Sequence, residues 1–176
     1  NHLRTTYFQH IEKLFSNKEM LNATAQILDD IFMHLHSFAG ATFNEDAEKS
    51  ILAQGELMST NMMTNYLKEL GVNVCLLPAL DYMKIDENGE PDTAYINQHL
   101  REILDKHKGY DIYITQGFIC RNVNGGIDNL RRGGSDYTAC LIGSALRADE
   151  IQIWTDIDGM HNNDPRFVDN TTPVSH

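Results

Sequence analysis

Val72-Asn73-Val74-Cys75-Leu76-Leu77 is a short, almost continuous apolar run that lies between two helical patterns. Its length and its β-branched residues favour a strand covered on both faces, as strands in parallel sheets are. Residues 110–115 form a second run of this kind, and residues 151–155 form a third. The three runs predict three strands of one largely parallel sheet.

Helical patterns fill the segments between these runs. In the first 40 residues, apolar side chains recur at spacings of one, three and four, which is typical of one helical face. Asn44 is a candidate N-cap of a long helix, whose first turn is acidic and which ends at Gly71. Asp92 or Thr93 caps the next helix, and residues 135–148 predict another. This alternation predicts an α/β protein with right-handed crossovers.

Two connections are also predicted. Residues 86–91 (Asp-Glu-Asn-Gly-Glu-Pro) have the composition of a surface turn, which we expect at the tip of a small hairpin after residues 82–85. Residues 121–134 are polar and contain glycine, and we expect a loop there.

Composition sets limits on function. The chain has 176 residues, 41% of them hydrophobic, which suits one globular domain. Its formal net charge of −11 disfavours nucleic acid as a partner, and its longest apolar run, interrupted by Pro78, is too short to span a bilayer. Three cysteines, Cys75, Cys120 and Cys140, argue against a disulfide framework and favour a cytoplasmic location.

Three segments carry candidate chemistry. The first is Leu130-Arg131-Arg132-Gly133-Gly134-Ser135-Asp136, in which glycines and an arginine precede a helix N-terminus. This arrangement suits an anion, although a plain N-cap after a flexible turn has the same pattern. The second is Trp154-Thr155-Asp156-Ile157-Asp158-Gly159, followed by Asp164-Pro165-Arg166. This segment could hold a ribose, a phosphate or magnesium, or it could be only an acidic turn. Gly55-Glu56 lies inside the second long helix, where glycine costs about 1 kcal/mol. A neighbouring group is therefore expected to approach that backbone, and Glu56 either faces the site or is solvated.

Taken in order, these segments and Gln116-Gly117-Phe118 resemble the aspartate kinase family. The resemblance covers residues 51–174 and is most specific from Arg132 to Arg166. It implies the amino-acid kinase (carbamate kinase-like) fold, a three-layer α-β-α sandwich with a mainly parallel sheet, here incomplete. It also implies transfer of the ATP γ-phosphoryl group to the β-carboxylate of L-aspartate, the first step toward lysine, threonine and methionine. An ionised carboxylate needs no general base, so catalysis would rest on positioning and charge neutralisation.

The resemblance assigns roles to individual residues. Arg132 would bind the α-carboxylate of aspartate, Glu56 its ammonium group, and Ser135 would add a hydrogen bond. Asp136 would contact the amino group or orient the catalytic lysine. On the nucleotide side, we expect Asp156 near the ribose or adenine, together with Thr155, and Arg166 near the phosphates. Magnesium would arrive with ATP, with no dedicated protein site.

The sequence departs from the family pattern in several places. It has no Lys-x-Gly-Gly strand-loop, and Arg131 and His161 stand where the family usually has glycine and an adenine-side tyrosine. The nucleotide-binding part beyond Arg166 and the regulatory ACT domains are also not found. We therefore expect residues 1–176 to be an internal piece of the kinase domain with little activity alone, taken from a homo-oligomeric parent.

Two alternatives stay open. One is another amino-acid kinase, acting on glutamate or acetylglutamate, which would share the sheet and the phosphoryl chemistry. The other is a non-catalytic amino-acid-binding module on the same fold, since the lysine loop is not found in the chain.

Overall fold

The computed structural model describes residues 2–40, 43–154, 159, 161–164 and 167–174. In these residues the chain forms an α/β structure, which confirms the predicted class. The helices are α1 His2–Leu14, α2 Lys18–Ser37, α3 Glu45–Glu69, α4 Thr93–Lys106 and α5 Gly134–Leu146. The strands are β1 Val74–Leu77, β2 Ile112–Thr115, β3 Ile119–Arg121 and β4 Ile127–Asn129, and a short 3-10 helix spans Ala79–Asp81.

Side-chain caps fix where the long helices begin. The Asn44 side chain accepts a hydrogen bond from the Ala47 backbone N–H at 2.8 Å, so the predicted start of α3 is confirmed. Asn17 caps α2 in the same way and separates it from α1, so the first 40 residues form two helices rather than one. After α3, Gly71 takes a φ of 79°, the left-handed conformation that glycine adopts without steric cost.

β1 and β2 pair in parallel, with Val74 opposite Ile112 and Leu77 opposite Thr115. The α4 helix lies in the crossover between them, as parallel strands require. β1 is almost entirely buried, as predicted, whereas Ile112 and Tyr113 of β2 are exposed, so the prediction that β2 is covered on both faces is wrong. The carboxyl ends of both strands lie at the same edge, which is where α/β proteins place their ligands.

An antiparallel hairpin occupies part of the predicted polar loop. β3 pairs with β4, with Ile119 opposite Asn129. The Asn122 side chain accepts hydrogen bonds from the backbone N–H groups of Asn124 and Gly126 at 3.0 and 2.9 Å. These bonds close a tight turn, so the chain returns along itself and the prediction of a loop was wrong for β4. The hairpin predicted around residues 86–91 is confirmed by the antiparallel bridge between Ile85 and Pro91.

The third predicted strand is not present in residues 151–154, and residue 155 lies outside the described residues. Ile151 and Ile153 are 44% and 42% exposed, and Trp154 is 89% exposed. Among the described residues no strand pairs with this run. An apolar run forms a strand only where a neighbour satisfies its backbone N–H and C=O groups, so the prediction of a strand was wrong here.

The buried side chains form two clusters. The larger joins the strands to α3, α4 and α5, and the smaller holds α1 and α2 against α3 through residues such as Ile11, Leu28 and Met58. The α3 helix therefore belongs to both clusters. No helix in the described ranges is both long and apolar enough to cross a membrane.

Candidate active site at the junction of β2, α3 and α5

A cavity of about 520 Å³ opens beside the carboxyl end of β2. Its polar wall comes from three elements that are far apart in sequence. Glu56 projects from α3, Thr115 to Gly117 form the end of β2 and the turn after it, and Ser135 and Thr138 lie in the first turns of α5. The remaining wall is mostly apolar and comes from α5 and the segment after it, which also adds the Glu150 and Gln152 side chains.

The Glu56 turn of α3 is connected to β2 by a buried amide. Gln116 is only 1% exposed, and its Nε2 donates a hydrogen bond to the Thr60 hydroxyl at 2.8 Å. The Thr60 hydroxyl donates in turn to the Glu56 carbonyl oxygen at 2.7 Å. The Gln116 Oε1 accepts from the Ala79 backbone N–H at 2.8 Å, so the amide is satisfied on both sides.

The turn after β2 touches the start of α5. A Cβ added at Gly117 would lie 2.9 Å from both Cβ and Oγ of Ser135, so only glycine fits at this distance. The next residue, Phe118, has a φ of 69°, and the Ile119 N–H donates to the Gly117 carbonyl oxygen at 2.7 Å. This is a γ-turn with positive φ, a strained conformation that persists only when its surroundings impose it.

The first turn of α5 presents backbone N–H groups beside this region, although the Gly134 N–H already donates to the Arg131 carbonyl oxygen at 3.1 Å. The N-cap of α5 is Gly133, with a φ of 78° and no side chain to accept the N–H groups of the first turn. Those groups and the helix dipole favour an anion. Arg131 also takes a positive φ, of 61°, which is the conformation that suits the glycine usually found there in the family it resembles.

Neutral and acidic groups, rather than basic ones, line the cavity. Glu56 and Glu150 are its acidic residues, and no lysine or arginine in the described residues lines it. Behind Thr115, the Tyr82 hydroxyl bonds to the threonine hydroxyl at 2.7 Å. Burial raises the pKa of Tyr82 from its usual 10.0 to about 12, so the phenol stays neutral. The cavity thus suits an ammonium group, and an anionic group of the same ligand needs donors at its rim.

The predicted substrate residues are partly brought together. Glu56 and Ser135 line the same cavity, whereas Arg132 and Asp136 are exposed and lie beside it in the turn that leads into α5 and in its first turn. Arg132 makes no ion pair within the described part of the chain, so its guanidinium is available to bind the anionic group of a ligand. The prediction that a neighbouring group approaches the backbone of Gly55 is not borne out: a Cβ there would meet no atom within 4 Å among the described residues.

Of the predicted nucleotide residues, the structure describes His161. Thr155, Asp156 and Arg166 lie outside the described residues. His161 is half-buried, its Nδ1 lies 3.1 Å from the Thr171 hydroxyl, and it does not line the cavity. Its expected place beside adenine stays a prediction.

Sequence reasoning assigned no role to Thr115 or Thr138. Both had an available signal, because Thr115 ends a parallel strand and Thr138 follows Ser135 by about one helical turn. Gln116 was part of the motif, but nothing in the sequence indicated that its side chain would reach α3.

Comparison with known proteins decides the family. The model of the amino acid kinase family matches residues 4–176, nearly the whole chain. The chain belongs to the amino acid kinase family. Within this family, it is 31% identical over 169 residues to the lysine-sensitive aspartokinase 3 of Escherichia coli strain K12. That match covers 94% of the chain and 37% of the relative, so the chain spans just over a third of its length.

Solved structures of the family have the same fold. The structure of E. coli aspartokinase III in complex with aspartate and ADP matches with a TM-score of 0.75 at 30% identity, over 93% of this chain and 37% of that one. The aspartate kinase of Clostridium acetobutylicum matches with a TM-score of 0.62 at 24% identity, over 85% of this chain and 31% of that one. The predicted amino-acid kinase fold is therefore confirmed.

Proposed function

We propose that the chain is the amino-acid-binding part of an aspartate kinase, which transfers the γ-phosphoryl group of ATP to the β-carboxylate of L-aspartate and forms 4-phospho-L-aspartate. The observation that carries the proposal is the cavity that joins Glu56 of α3 to Ser135 of α5. The acidic residues of the cavity suit the ammonium group of an amino acid. Arg132 and the backbone N–H groups at the start of α5 suit the carboxylates of the same amino acid.

In this mechanism the chain binds and orients the nucleophile. Arg132 forms a bidentate pair with the α-carboxylate of aspartate, Glu56 binds the ammonium group, and Ser135 donates a hydrogen bond. Asp136 binds the amino group or orients a catalytic lysine. The β-carboxylate is already ionised at neutral pH, so it attacks the γ-phosphorus without a general base. The bond from that phosphorus to the oxygen that bridges it to the β-phosphate breaks, and ADP leaves. Rate enhancement comes from positioning and charge neutralisation.

The nucleotide side is assigned to Thr155, Asp156, His161 and Arg166. Magnesium would arrive with ATP and would neutralise charge on the phosphates. Within the described residues no group of three or more His, Cys, Asp or Glu side chains could hold a metal ion, and we assign none of these residues to magnesium.

The wider assignments belong to the same proposal. The reaction is the first step toward lysine, threonine and methionine, in the cytoplasm, where the free thiols of Cys75, Cys120 and Cys140 stay reduced. The enzyme is a homo-oligomer. Residues 1–176 are part of its catalytic domain, and we expect this segment alone to give no steady aspartate-dependent ATP turnover.

The test uses the full-length protein. ATP consumption is measured with L-aspartate, L-glutamate and N-acetyl-L-glutamate, and the acyl phosphate is trapped with hydroxylamine. We expect turnover with aspartate, and a rise in aspartate KM of roughly tenfold to a hundredfold in Arg132→Ala, because a bidentate charged hydrogen bond is lost. Arg131→Gly is the matched control, since it removes a neighbouring arginine at a position whose φ suits glycine. Turnover with glutamate only, or Arg132→Ala matching the control, would refute the assignment.

A further inference from the structure

Gln116 is a buried polar residue whose placement calls for an explanation. A side chain that is 1% exposed at the end of a strand is usually apolar, since burying an amide is costly unless every polar atom is bonded. Here both amide atoms are bonded, one to Ala79 and one to Thr60. The Ala79 N–H needs an acceptor, so Oε1 faces it and Nε2 must face α3.

Thr60 passes this connection to the Glu56 turn. Its hydroxyl accepts from Gln116 Nε2 and donates to the Glu56 carbonyl oxygen one helical turn earlier. The bond from Gln116 to Thr60, at 2.8 Å, joins α3 to the end of β2 and so limits the rotation of α3 about its axis and its distance from β2. The bond from Thr60 to the Glu56 carbonyl oxygen, at 2.7 Å, lies within α3 and holds the threonine hydroxyl in the orientation that accepts from Gln116. The direction of the Glu56 side chain depends on that rotation and that distance.

The following two residues connect to α5 in a parallel way. Gly117 touches Ser135, and the Phe118 N–H donates to the Thr138 hydroxyl at 3.1 Å. The Thr138 hydroxyl donates in turn to the Gly134 carbonyl oxygen at 2.8 Å. Each helix is therefore held by a threonine that bonds back to its own helix and accepts from the 116–118 segment.

We propose that Gln116 is a positioning residue that, through Thr60, fixes Glu56 relative to the first turn of α5 and so sets the spacing of the amino-acid site. This inference rests on the proposed function, because it assigns Gln116 to the Glu56 half of the aspartate site. Gln116 takes no part in the chemistry. It acts through Glu56, and its loss affects the amino acid rather than the nucleotide.

The kinetic test uses full-length variants. Gln116→Met keeps the length of the side chain and loses both of its hydrogen bonds. Thr60→Val loses only the hydroxyl that joins Gln116 to the Glu56 carbonyl oxygen, and Thr60→Ser keeps that hydroxyl. Thr64→Val is the matched control, because Thr64 lies one turn further along α3 and its hydroxyl donates to the Thr60 carbonyl oxygen, whereas Gln116 donates to the Thr60 hydroxyl. We expect aspartate KM to rise about tenfold in the first two variants, with ATP KM nearly constant, while Thr60→Ser and Thr64→Val stay near the parent.

Two results would overturn the proposal. One is an unchanged aspartate KM in Gln116→Met and Thr60→Val when Glu56→Gln raises it, which would leave the proposed function intact. The other is an equal change in aspartate and ATP KM, which would indicate a general packing defect. Thermal melts of each variant separate lost stability from lost positioning.

If the full-length protein shows no turnover with aspartate, the proposed function fails and the positioning role is judged on structure alone. Crystal structures of the parent and of Gln116→Met then give the distance between the Cα atoms of residues 56 and 135. A shift of about 1 Å, the scale at which site geometry matters, would support the positioning role. Superimposable turns would refute it.

Discussion

Gly117→Ala should impair aspartate binding because it pushes α5 away from β2. The added Cβ would lie 2.9 Å from Cβ and Oγ of Ser135 and 3.0 Å from its Cα. Carbon atoms in contact lie about 3.5–4.0 Å apart, so the gap is short by roughly 0.5–1 Å. A rotamer change at Ser135 moves only its Oγ, so the backbone of α5 itself must shift.

The cost follows from that shift. Forcing an extra methyl group into a packed contact costs about 1–3 kcal/mol of stability. A displacement of about 1 Å at a site that orients a reacting group can lower the rate by about a hundredfold. We expect aspartate KM to rise about tenfold or more in Gly117→Ala, with ATP KM close to that of the parent.

The assay is ADP release by the full-length protein as aspartate and ATP are varied in turn, with a thermal melt to check folding. Gly55→Ala is the control, because a Cβ at Gly55 meets no atom within 4 Å in the described part of the chain. It should leave aspartate KM unchanged and stabilise α3 by about 1 kcal/mol. A Gly117→Ala variant with the parent's aspartate KM would show that contact with Ser135 does not set the site.

Two further predictions concern stability. Lys49→Met should lower the free energy of unfolding, measured in urea, by about 1–3 kcal/mol, because the Lys49 ammonium lies 2.9 Å from the largely buried Asp128 carboxylate. Glu45→Gln removes the exposed partner of the same lysine and should cost less than about 1 kcal/mol. Equal costs for the two variants would contradict this reasoning. The raised pKa of Tyr82 means that its neutral form stabilises the fold below pH 10 and that this contribution declines as pH rises toward about 12. Tyr82→Phe should therefore lose less stability than the parent between pH 10 and 12 in urea midpoints, and parallel curves would contradict the assignment.

Local signals in the sequence predicted the helices well. Asn44 and the acidic first turn defined the start of α3, and Asp92 caps α4 by accepting from the Tyr95 N–H at 3.0 Å. These features depend on residues close in the chain, so sequence alone contains them. The β3–β4 hairpin also had a local signal, Asn124-Gly125, but its strands of three residues were too short for an alternating pattern to stand out.

Strand pairing and exposure could not be predicted in the same way. Residues 151–154 have the apolar character of a strand, but a strand needs hydrogen bonds from a neighbour, and that neighbour can be distant in sequence. Ile112 and Tyr113 have the same character and do pair, yet they remain exposed because nothing in the described chain covers them. Apolar composition thus indicates which segments can pair, and tertiary structure decides which ones are covered.

The site was predicted as a set of residues and not as a geometry. The rule that ligands gather at the carboxyl ends of parallel strands places residues 115–117 at the site from sequence alone. It cannot place Glu56, which lies in the middle of a long helix and could face either the site or solvent. The structure places Glu56 in the wall of the cavity, one helical turn from Thr60, and Thr60 bonds to Gln116, a residue that is distant from it in sequence.

The end of β2 explains how a short, half-exposed strand can support such a site. Its amino end carries exposed side chains, but Thr115 bonds to Tyr82, Gln116 to both Ala79 and Thr60, and the turn that follows bonds to Thr138. These contacts point toward α3, α5 and the segment after β1, so a shift of β2 in any of these directions breaks at least one of them. The strain of the γ-turn at Phe118 persists because the residues around it are held on several sides. Rigidity is thus concentrated at the end of β2, where the proposed reaction needs two helices at a fixed spacing.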